Sequence, residues 1–268
     1  MKLIKEPKKS LGQNFLTDKN IINKIVKTAN INKDSVVLEI GAGYGSLTKS
    51  INELNPKKIF AVEKDKKLSN FLKEKFINET NIKIINDDIL NLTESNMFEP
   101  NIIVFGNLPY NISTQILASL ILLKKWPPWY HTLVLMFQKE VADRIIAQTN
   151  TKEFGRLAIL CNWRLEVKKH FDISKNCFFP KPKINSTLLS FKPKKNNQYY
   201  LKNPKTLEKI TRIFFSNRRK MINKKFKLLF NKNEYIAEKL NINLSQRPEE
   251  LSCENFYNIA AEYEKLIN

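Results

Sequence analysis

The segment Gly106-Asn107-Leu108-Pro109-Tyr110 combines residue types that can bind and activate an amino group. The Asn107 side chain and the Leu108 backbone each offer a carbonyl oxygen, and Pro109 fixes the turn. Two such acceptors can hold both N–H bonds of an adenine N6, so that the nitrogen lone pair points towards an electrophile. Tyr110 adds a flat ring on which a base can stack, a contact worth about 1–3 kcal/mol. The alternative is an ordinary strand-to-helix turn that Asn107 caps and Pro109 stiffens.

A second group of residues upstream has the chemistry of an adenosine site. The chain has only six glycines, and three of them, Gly41, Gly43 and Gly45, lie within five positions, which indicates positive φ or close approach of a ligand. Their GxGxG spacing differs from the GxGxxG of dinucleotide-binding proteins. Glu63 can accept hydrogen bonds from two ribose hydroxyls, and Asp88 can accept one from an adenine amine. The alternative is a tight turn with two solvated carboxylates.

Alternating apolar runs and helical periods predict the elements that position these residues. Short apolar runs predict buried strands at 36–40, 58–63, 82–86, 101–106 and 131–137. Helical spacing predicts helices at 18–29, 46–54, 65–76, 112–124 and 138–148. This alternation is typical of right-handed βαβ units, so we expect an α/β fold whose parallel sheet is covered on both faces. The carboxyl edge of that sheet would carry both groups of polar residues.

The second half of the chain has a different pattern. A helix is predicted at 155–162 and strands at 164–171 and 184–191, with the proline-rich segment CFFPKPK (177–183) between the strands. The polar, proline-bearing stretch 192–204 reads as a linker. Beyond it, helical periods at 205–217, 219–230, 233–240 and 252–267 predict an all-helical region. We therefore expect a main domain over 1–191, a linker over 192–204 and a small helical domain over 205–268.

Composition excludes several classes of protein. The 268 residues are 42% hydrophobic, which is enough for a sizeable core and argues against disorder. Three cysteines without a CxxC pair and two histidines exclude a zinc ribbon and a disulfide framework, and they favour a reducing compartment. No apolar run approaches the length of a membrane span, and the charged N-terminus does not resemble a secretory signal.

The formal net charge of +20 indicates either a Lys- and Asn-rich composition bias or a polyanionic partner. The distribution of charge favours the partner. Residues 209–232 hold nine Lys or Arg residues and no Asp or Glu. In the predicted helices, the cations lie opposite an apolar stripe, as on a packed helix with one basic face. Such a face neutralises phosphates without reading sequence, so nucleic acid is the expected partner.

Longer motifs identify a family. KKSLGQNFL (8–16), VLEIGAGYGSLT (37–48), FGNLPYNIST (105–114), CFFPKPKINS (177–186) and LSQRPEELS (244–252) occur in this order over nearly the full length. In this respect the chain resembles the S-adenosylmethionine-dependent small-subunit ribosomal RNA adenine N6-dimethyltransferases, the KsgA type. The resemblance implies a Rossmann-like methyltransferase sheet with helices on both faces, followed by a small C-terminal all-helical domain that recognises RNA.

The resemblance also assigns roles to matching positions on both sides of the site. On the cofactor side, S-adenosylmethionine would be enclosed by Asn14 and Leu16, contacted by the Gly41 backbone, and held by Glu63 at the ribose, Asp88 at the adenine and Asn107. On the target side, Asn107, Leu108 and Tyr110 would form the cradle of the base. Phe178, the first position of an FxPxPxxxS pattern and the neighbour of Phe179, would form the opposite stacking wall.

The activity implied is dimethylation of N6 on two adjacent adenines in a hairpin loop near the 3′ end of 16S rRNA, with S-adenosylhomocysteine as the product. The expected enzyme is a cytoplasmic monomer that uses no metal and no membrane and acts on a pre-assembled small subunit. One alternative is a large-subunit, 23S rRNA dimethylase of the erythromycin-resistance type, which NLPY and QRPEEL (246–251) disfavour. The other is a non-catalytic nucleic-acid-binding relative, which intact QNFL, GxGxG and NLPY motifs disfavour.

Overall fold

A computed structural model describes residues 12–92, 100–195, 198–231 and 235–267. Residues 8–11 of the N-terminal motif, residues 196–197 of the expected linker, and Lys232 lie outside these ranges. The strands are β1 (Phe15–Leu16), β2 (Val36–Ile40), β3 (Lys58–Val62), β4 (Ile82–Ile85), β5 (Ile102–Asn107), β6 (Tyr130–Gln138), β7 (Leu165–Ile173), β8 (Phe178–Phe179) and β9 (Ser186–Pro193).

Helices follow most of the strands. They are α1 (Lys19–Val26), α2 (Ser46–Asn52), α3 (Lys66–Lys75), α4 (Ile89–Leu92), α5 (Ser113–Ile121), α6 (Lys139–Ile145), α7 (Arg156–Arg164), α8 (Lys205–Phe215), α9 (Asn223–Leu229), α10 (Tyr235–Lys239) and α11 (Cys253–Ile267). Short 3-10 helices span Lys27–Ala29, Lys175–Cys177 and Pro248–Glu250. No helix in the described part of the chain is both long enough and apolar enough to cross a membrane.

The main sheet has seven strands in the order β4-β3-β2-β5-β6-β9-β7. The strands from β4 to β6 are parallel, which confirms the expected βαβ pattern, and β9 pairs antiparallel with β6, so the complete sheet is mixed. Successive side chains point to opposite faces of a strand, and neighbours such as Val37 and Leu38 are both fully buried. Both faces of the sheet are therefore covered, as predicted.

The strand order places a topological switch point between β2 and β5. From β2 the chain proceeds outward to β3 and β4, and it then returns to the other side of β2 as β5. Loops that leave the carboxyl ends of two such strands diverge, and the crevice between them is the usual ligand site of an open α/β sheet. The polar residues singled out above follow the ends of β2, β3, β4 and β5.

One face of the sheet packs against α1 and α2. The Asp18 side chain accepts a hydrogen bond from the Ile21 backbone amide at 3.0 Å and so caps the start of α1. The helix then buries Ile22, Ile25 and Val26 in a cluster that includes residues of α2, β2, β3 and β5. The predicted helix 18–29 is thus present as α1 and the 3-10 turn that follows it.

The chain divides into two compact units. The first takes in the described residues of Met1–Leu120, Pro128–Ala142 and Lys168–Pro193, and the second those of Ile121–Pro127, Asp143–Val167 and Lys194–Asn268. The second unit therefore includes segments upstream of residue 192 in addition to the C-terminal helices. The domain boundaries expected from the sequence, 1–191, 192–204 and 205–268, stay a prediction about which segments fold independently.

Within the second unit, α8 is amphipathic, as expected, with one apolar face and one basic face. Leu207, Ile210 and Phe214 are fully buried, whereas Lys209 and Arg212 are exposed. In α9, Phe226 is buried, and Lys224 and Lys227 are exposed. The basic faces predicted from the sequence are therefore solvent-exposed.

Candidate active site

A cavity opens at the carboxyl ends of β2, β3, β4 and β5. It encloses about 930 Å³, including the part open to solvent. Its walls come from the N-terminal segment, the four strand ends and the start of α5. They comprise Gly12, Gln13, Asn14, Phe15, Ile40, Gly41, Gly43, Val62, Glu63, Lys64, Asp87, Asp88, Ile89, Asn107, Leu108, Pro109, Tyr110, Asn111, Ile112 and Ile116. Seven of the predicted site residues are thus brought together.

The glycine turn after β2 has the backbone that the sequence predicts. Gly41, Gly43 and Gly45 have φ values of 74°, 58° and 70°. A Cβ at Gly43 would lie 2.9 Å from the Phe15 ring, so a side chain here would disturb the wall of the cavity. At Gly41 the nearest atom to an added Cβ is the Asn107 carbonyl oxygen at 3.8 Å. No atom crowds this position more closely than ordinary contact distance, so the Gly41 backbone, which lines the cavity, leaves room for close approach by a ligand.

Glu63 fixes the glycine turn and lines the cavity. One of its carboxylate oxygens accepts a hydrogen bond from the Gly43 amide at 2.9 Å, and the other accepts one from the Asp65 amide at 2.8 Å. Burial raises the pKa of Glu63 above its ordinary value, and the two amide bonds oppose that rise. Each carboxylate oxygen can accept a further hydrogen bond. The side chain is thus held at the cavity wall with acceptor capacity for two hydroxyl groups.

Asp88 lines the cavity after β4 and is kept ionised. Desolvation alone would raise its pKa, but the Lys64 ammonium, 2.8 Å from Oδ2, and the Leu90 amide, 3.0 Å from Oδ1, outweigh it, so the pKa lies below its ordinary value. An ionised carboxylate only accepts hydrogen bonds. Asp88 can therefore accept a hydrogen bond from an amine but cannot donate one.

Glu39 is a buried carboxyl beneath the glycine turn to which the sequence analysis gave no role. It lies on β2, is 3% exposed, and accepts a hydrogen bond from Thr48 Oγ1 at 2.5 Å. Burial raises its pKa to about 8, although the Thr48 bond and Lys75 act in the opposite direction. Glu39 thus carries its proton at neutral pH. An acidic residue in an otherwise apolar strand, VVLEI, was the available signal.

The last residue of β5, Asn107, is oriented by a contact with the N-terminal segment. Its side-chain Nδ2 donates a hydrogen bond to the Asn14 backbone carbonyl at 2.6 Å. A carbonyl oxygen can only accept, so the amide must present its nitrogen to Asn14 and turn Oδ1 the other way. No described residue donates a hydrogen bond to Oδ1. Asn107 therefore offers a free acceptor at the cavity, as its residue type predicts.

Leu108 and Tyr110 continue this wall. The Leu108 side chain is buried and packs on Gly106, where an added Cβ would lie 2.7 Å from Leu108 Cδ2. Tyr110 is half-buried, and its hydroxyl shares a hydrogen bond of 2.7 Å with Ser186 Oγ. Burial raises the pKa of Tyr110, and the Ser186 bond opposes this. The phenol therefore stays protonated at neutral pH.

Two of the predicted site residues, Leu16 and Phe178, do not line the cavity. They face each other in the antiparallel β1–β8 pair, and their side chains belong to the buried cluster beneath it, at 6% and 4% exposure. Phe179, the next residue along, is 58% exposed and pairs with Phe15. The assignments of Leu16 to the cofactor and of Phe178 to the stacking wall stay predictions.

The protein has a mixed seven-stranded sheet, a glycine turn after β2, a carboxylate after β3 that holds this turn, and an Asn-Leu-Pro-Tyr segment at the end of β5. Together these features define a class, the Rossmann-like α/β methyltransferases. The family model described as ribosomal RNA adenine dimethylase matches residues 4–265. The chain belongs to the ribosomal RNA adenine dimethylase family, which confirms the resemblance seen in the motifs.

Individual relatives agree with this assignment. Ribosomal RNA small subunit methyltransferase A of Pelagibacter ubique is 54% identical, over 97% of each chain. A protein of the same name from Wolbachia is 40% identical, over 99% of this chain and 97% of its own. A crystal structure of a dimethyladenosine transferase from Plasmodium falciparum is 26% identical, with a TM-score of 0.76, over 94% of this chain and 98% of its own. The 23S rRNA methyltransferase ErmE, 22% identical with a TM-score of 0.66, covers 95% of this chain and 100% of its own and shares the fold.

The protonated state of Glu39 predicts how stability depends on pH. The folded protein keeps this proton up to about pH 8, whereas the unfolded chain loses it near 4.5. Its contribution to stability is therefore complete below the lower value and is lost as the pH rises through the higher one, at up to about 1.4 kcal/mol per pH unit.

The variant Glu39→Gln keeps an acceptor for Thr48 and cannot ionise. Urea unfolding between pH 6 and 8.5 should show a smaller fall in the free energy of unfolding for Glu39→Gln than for the unmodified protein. The exposed Glu53→Gln provides the matched control and should leave the slope unchanged. Equal slopes for all three proteins would show that Glu39 is ionised in the folded state.

Proposed function

We propose that this protein dimethylates N6 of two adjacent adenines in a hairpin loop near the 3′ end of 16S rRNA, with S-adenosylmethionine as the methyl donor. The observation that carries the proposal is the orientation of Asn107, whose Nδ2 is occupied by the Asn14 carbonyl and whose Oδ1 is left for an incoming amine. Family membership and the names of the small-subunit relatives support the choice of rRNA and of the small subunit.

The residues around the cavity fit S-adenosylmethionine. The cavity beside the uncrowded Gly41 backbone admits a ligand against the chain. Glu63 provides oxygens for the ribose hydroxyls, and ionised Asp88 provides an acceptor for the adenine amine. Asn14 would enclose the ligand from the N-terminal segment, with Leu16 supporting that segment from the core. When bound, the sulfonium supplies an already activated methyl group, and the product is S-adenosylhomocysteine.

The side chains at the tip of β5 position the target amine. Asn107 Oδ1 and the Leu108 carbonyl accept its two N–H bonds, which directs the nitrogen lone pair towards the cofactor side of the cavity. These bonds strengthen as N6 becomes tetrahedral and positively charged, so they stabilise the transition state more than the ground state. The methylated amine then releases its extra proton to water. The Tyr110 ring stacks on the base. Extruding an adenine costs a few kcal/mol, and less from a loop than from a duplex.

The second wall of the base site is assigned to Phe178. Adjacent residues of a strand point to opposite sides, so Phe178 points to the core and Phe179 to solvent. On the core side, Phe178 shares a buried cluster with Met136, which is opposite Asn107 in the β5–β6 register. In the β1–β8 pair, however, the cavity-lining Phe15 is opposite Phe179, and Phe178 is opposite Leu16 on the buried face. Support for Phe178 therefore comes from the FxPxPxxxS pattern of the family, and the two phenylalanines need a direct test.

The proposed partner is small-subunit rRNA within a pre-assembled small subunit, bound by a cytoplasmic monomer. The exposed cations of α8 and α9 can neutralise phosphates over a wide surface without selecting a sequence. The proposed chemistry needs no metal. Among residues 12–92, 100–195, 198–231 and 235–267, no group of three or more His, Cys, Asp and Glu residues is placed to hold one.

The assignment of Asn107 is tested by transfer of labelled methyl groups. Wild-type protein should label unmethylated small subunits and leave large-subunit RNA, offered in parallel, unlabelled. Asn107→Ala should lower transfer by about 100-fold, the usual effect of removing one transition-state hydrogen bond.

Glu63→Ala should lose cofactor binding in calorimetry, and Asn20→Ala, on the exposed side of α1, should behave as wild type.

Full transfer by Asn107→Ala would refute its role. Label in large-subunit RNA instead would favour the 23S dimethylase, and cofactor-free, inactive wild-type protein would favour the non-catalytic relative.

A pair of conservative variants tests the stacking wall. Phe178→Leu and Phe179→Leu each remove one aromatic face while keeping an apolar side chain. Because a base–aromatic stack is worth about 1–3 kcal/mol, Phe178→Leu should lower kcat/KM for small subunits by at least about 5-fold. Phe179→Leu should change it by less. The reverse order, with comparable thermal stability of the two variants, would transfer the role to Phe179.

A further inference from the structure

The serine that closes the FxPxPxxxS pattern has no role in the function proposed so far. Ser186 is the first residue of β9 and is fully buried. Its Oγ shares a 2.7 Å hydrogen bond with the hydroxyl of Tyr110, 76 residues earlier in the chain. This bond joins a core strand to the aromatic ring of the target-base cradle.

The register of the sheet brings Ser186 to the base site. Asn107, at the end of β5, is opposite Met136 of β6, and Gln138, two residues further along β6, is opposite Ser186. The backbone of the neighbouring residue is fixed as well, since the Lys139 amide donates to the Asn185 carbonyl at 3.0 Å. Ser186 thus has a fixed position on β9, which is separated from β5 and Asn107 by the single strand β6.

Tyr110 has a different kind of support: its carbonyl accepts a hydrogen bond from Ser113 Oγ at 3.2 Å, and no strand pairing fixes its backbone. It follows Pro109 in the turn between β5 and α5, outside any strand or helix. A tyrosine ring that stacks on a base must be kept in one position, and fixing a free side chain costs conformational entropy each time a base binds. A hydrogen bond at the far end of the ring holds it in that position before the base arrives. The hydroxyl, which a stacking ring does not otherwise need, then has a purpose.

We propose that Ser186 is a positioning residue for methyl transfer: its Oγ holds the Tyr110 hydroxyl and thereby fixes the ring on which the target adenine stacks. The inference rests on the proposed function and extends it to a residue that touches neither cofactor nor base. Loss of the bond displaces the ring, and small displacements of a bound reactant have large effects on rate. RNA affinity should change little, because phosphate contacts dominate it.

A double-mutant cycle on the full-length protein tests the inference. Ser186→Ala and Tyr110→Phe remove the same hydrogen bond from its two ends. Each should lower kcat on unmethylated small subunits by about 10-fold, well within the cost of a misplaced reactant, with KM for the subunits nearly unchanged. The double variant should be no slower than either single variant. Ser186→Thr, which retains the hydroxyl, should recover most of the rate.

β9 supplies the matched control. Ser190 is on the same strand, is 9% exposed, and shares a 2.8 Å hydrogen bond with His170 Nε2 away from the cavity. Ser190→Ala should therefore keep wild-type kcat. Calorimetry with S-adenosylhomocysteine should give the same Kd for all variants, because the bond lies on the target side of the site.

Each remaining outcome overturns the inference. Unchanged kcat in Tyr110→Phe would show that the bond is not needed, even if Ser186→Ala fails to fold. Additive losses in the double variant would show that the two hydroxyls act separately. An equal loss in Ser190→Ala would indicate a general effect on β9. Wild-type protein that labels no small subunits would instead contradict the proposed function itself, which separates the two failures.

Discussion

The hydrogen bond from Asn107 Nδ2 to the Asn14 carbonyl is the constraint on which the rest of the site depends. It joins two positions 93 residues apart in the chain and fixes the orientation of the Asn107 side-chain amide. An amide that directs its nitrogen to the Asn14 carbonyl turns its oxygen to the opposite side. The N-terminal segment therefore does more than cover the cavity. Through Asn14 it sets the chemical character of the strand end at which the target amine is held.

Three carboxyl groups at or beneath the cavity differ in state because their surroundings differ. Glu39 is buried with one hydroxyl partner and keeps its proton. Glu63 is tied to two backbone amides and holds the turn in shape. Asp88 is paired with Lys64 and is ionised. Environment, and not residue type, thus separates a structural acid beneath the turn from the acceptors at the cavity.

Much of this arrangement could be predicted because its signals are local. Apolar runs located β2 to β6 to within a residue, and glycine spacing predicted the positive φ values. The β1–β8 pair was not predicted. Each strand has only two residues, too few to show the alternation of apolar and polar residues that marks a strand, and the two strands are some 160 positions apart in the chain. The predicted helix 112–124 ends early, at Ile121, where buried Arg164 donates to the Ile121 and Leu123 carbonyls. Long-range side-chain contacts of this kind, like the Asn14–Asn107 bond, leave no pattern in the sequence.

The most direct test is the variant Asn107→Asp, assayed for labelled methyl transfer to unmethylated small subunits at neutral pH. The substitution keeps the size of the side chain and its acceptor oxygen, and it removes the donor that Asn14 requires. The account predicts a loss of at least about 100-fold in kcat, comparable to removal of a transition-state hydrogen bond, with binding of S-adenosylhomocysteine retained. Transfer at the wild-type rate would contradict it, because the orientation of the amide would then be irrelevant to the reaction.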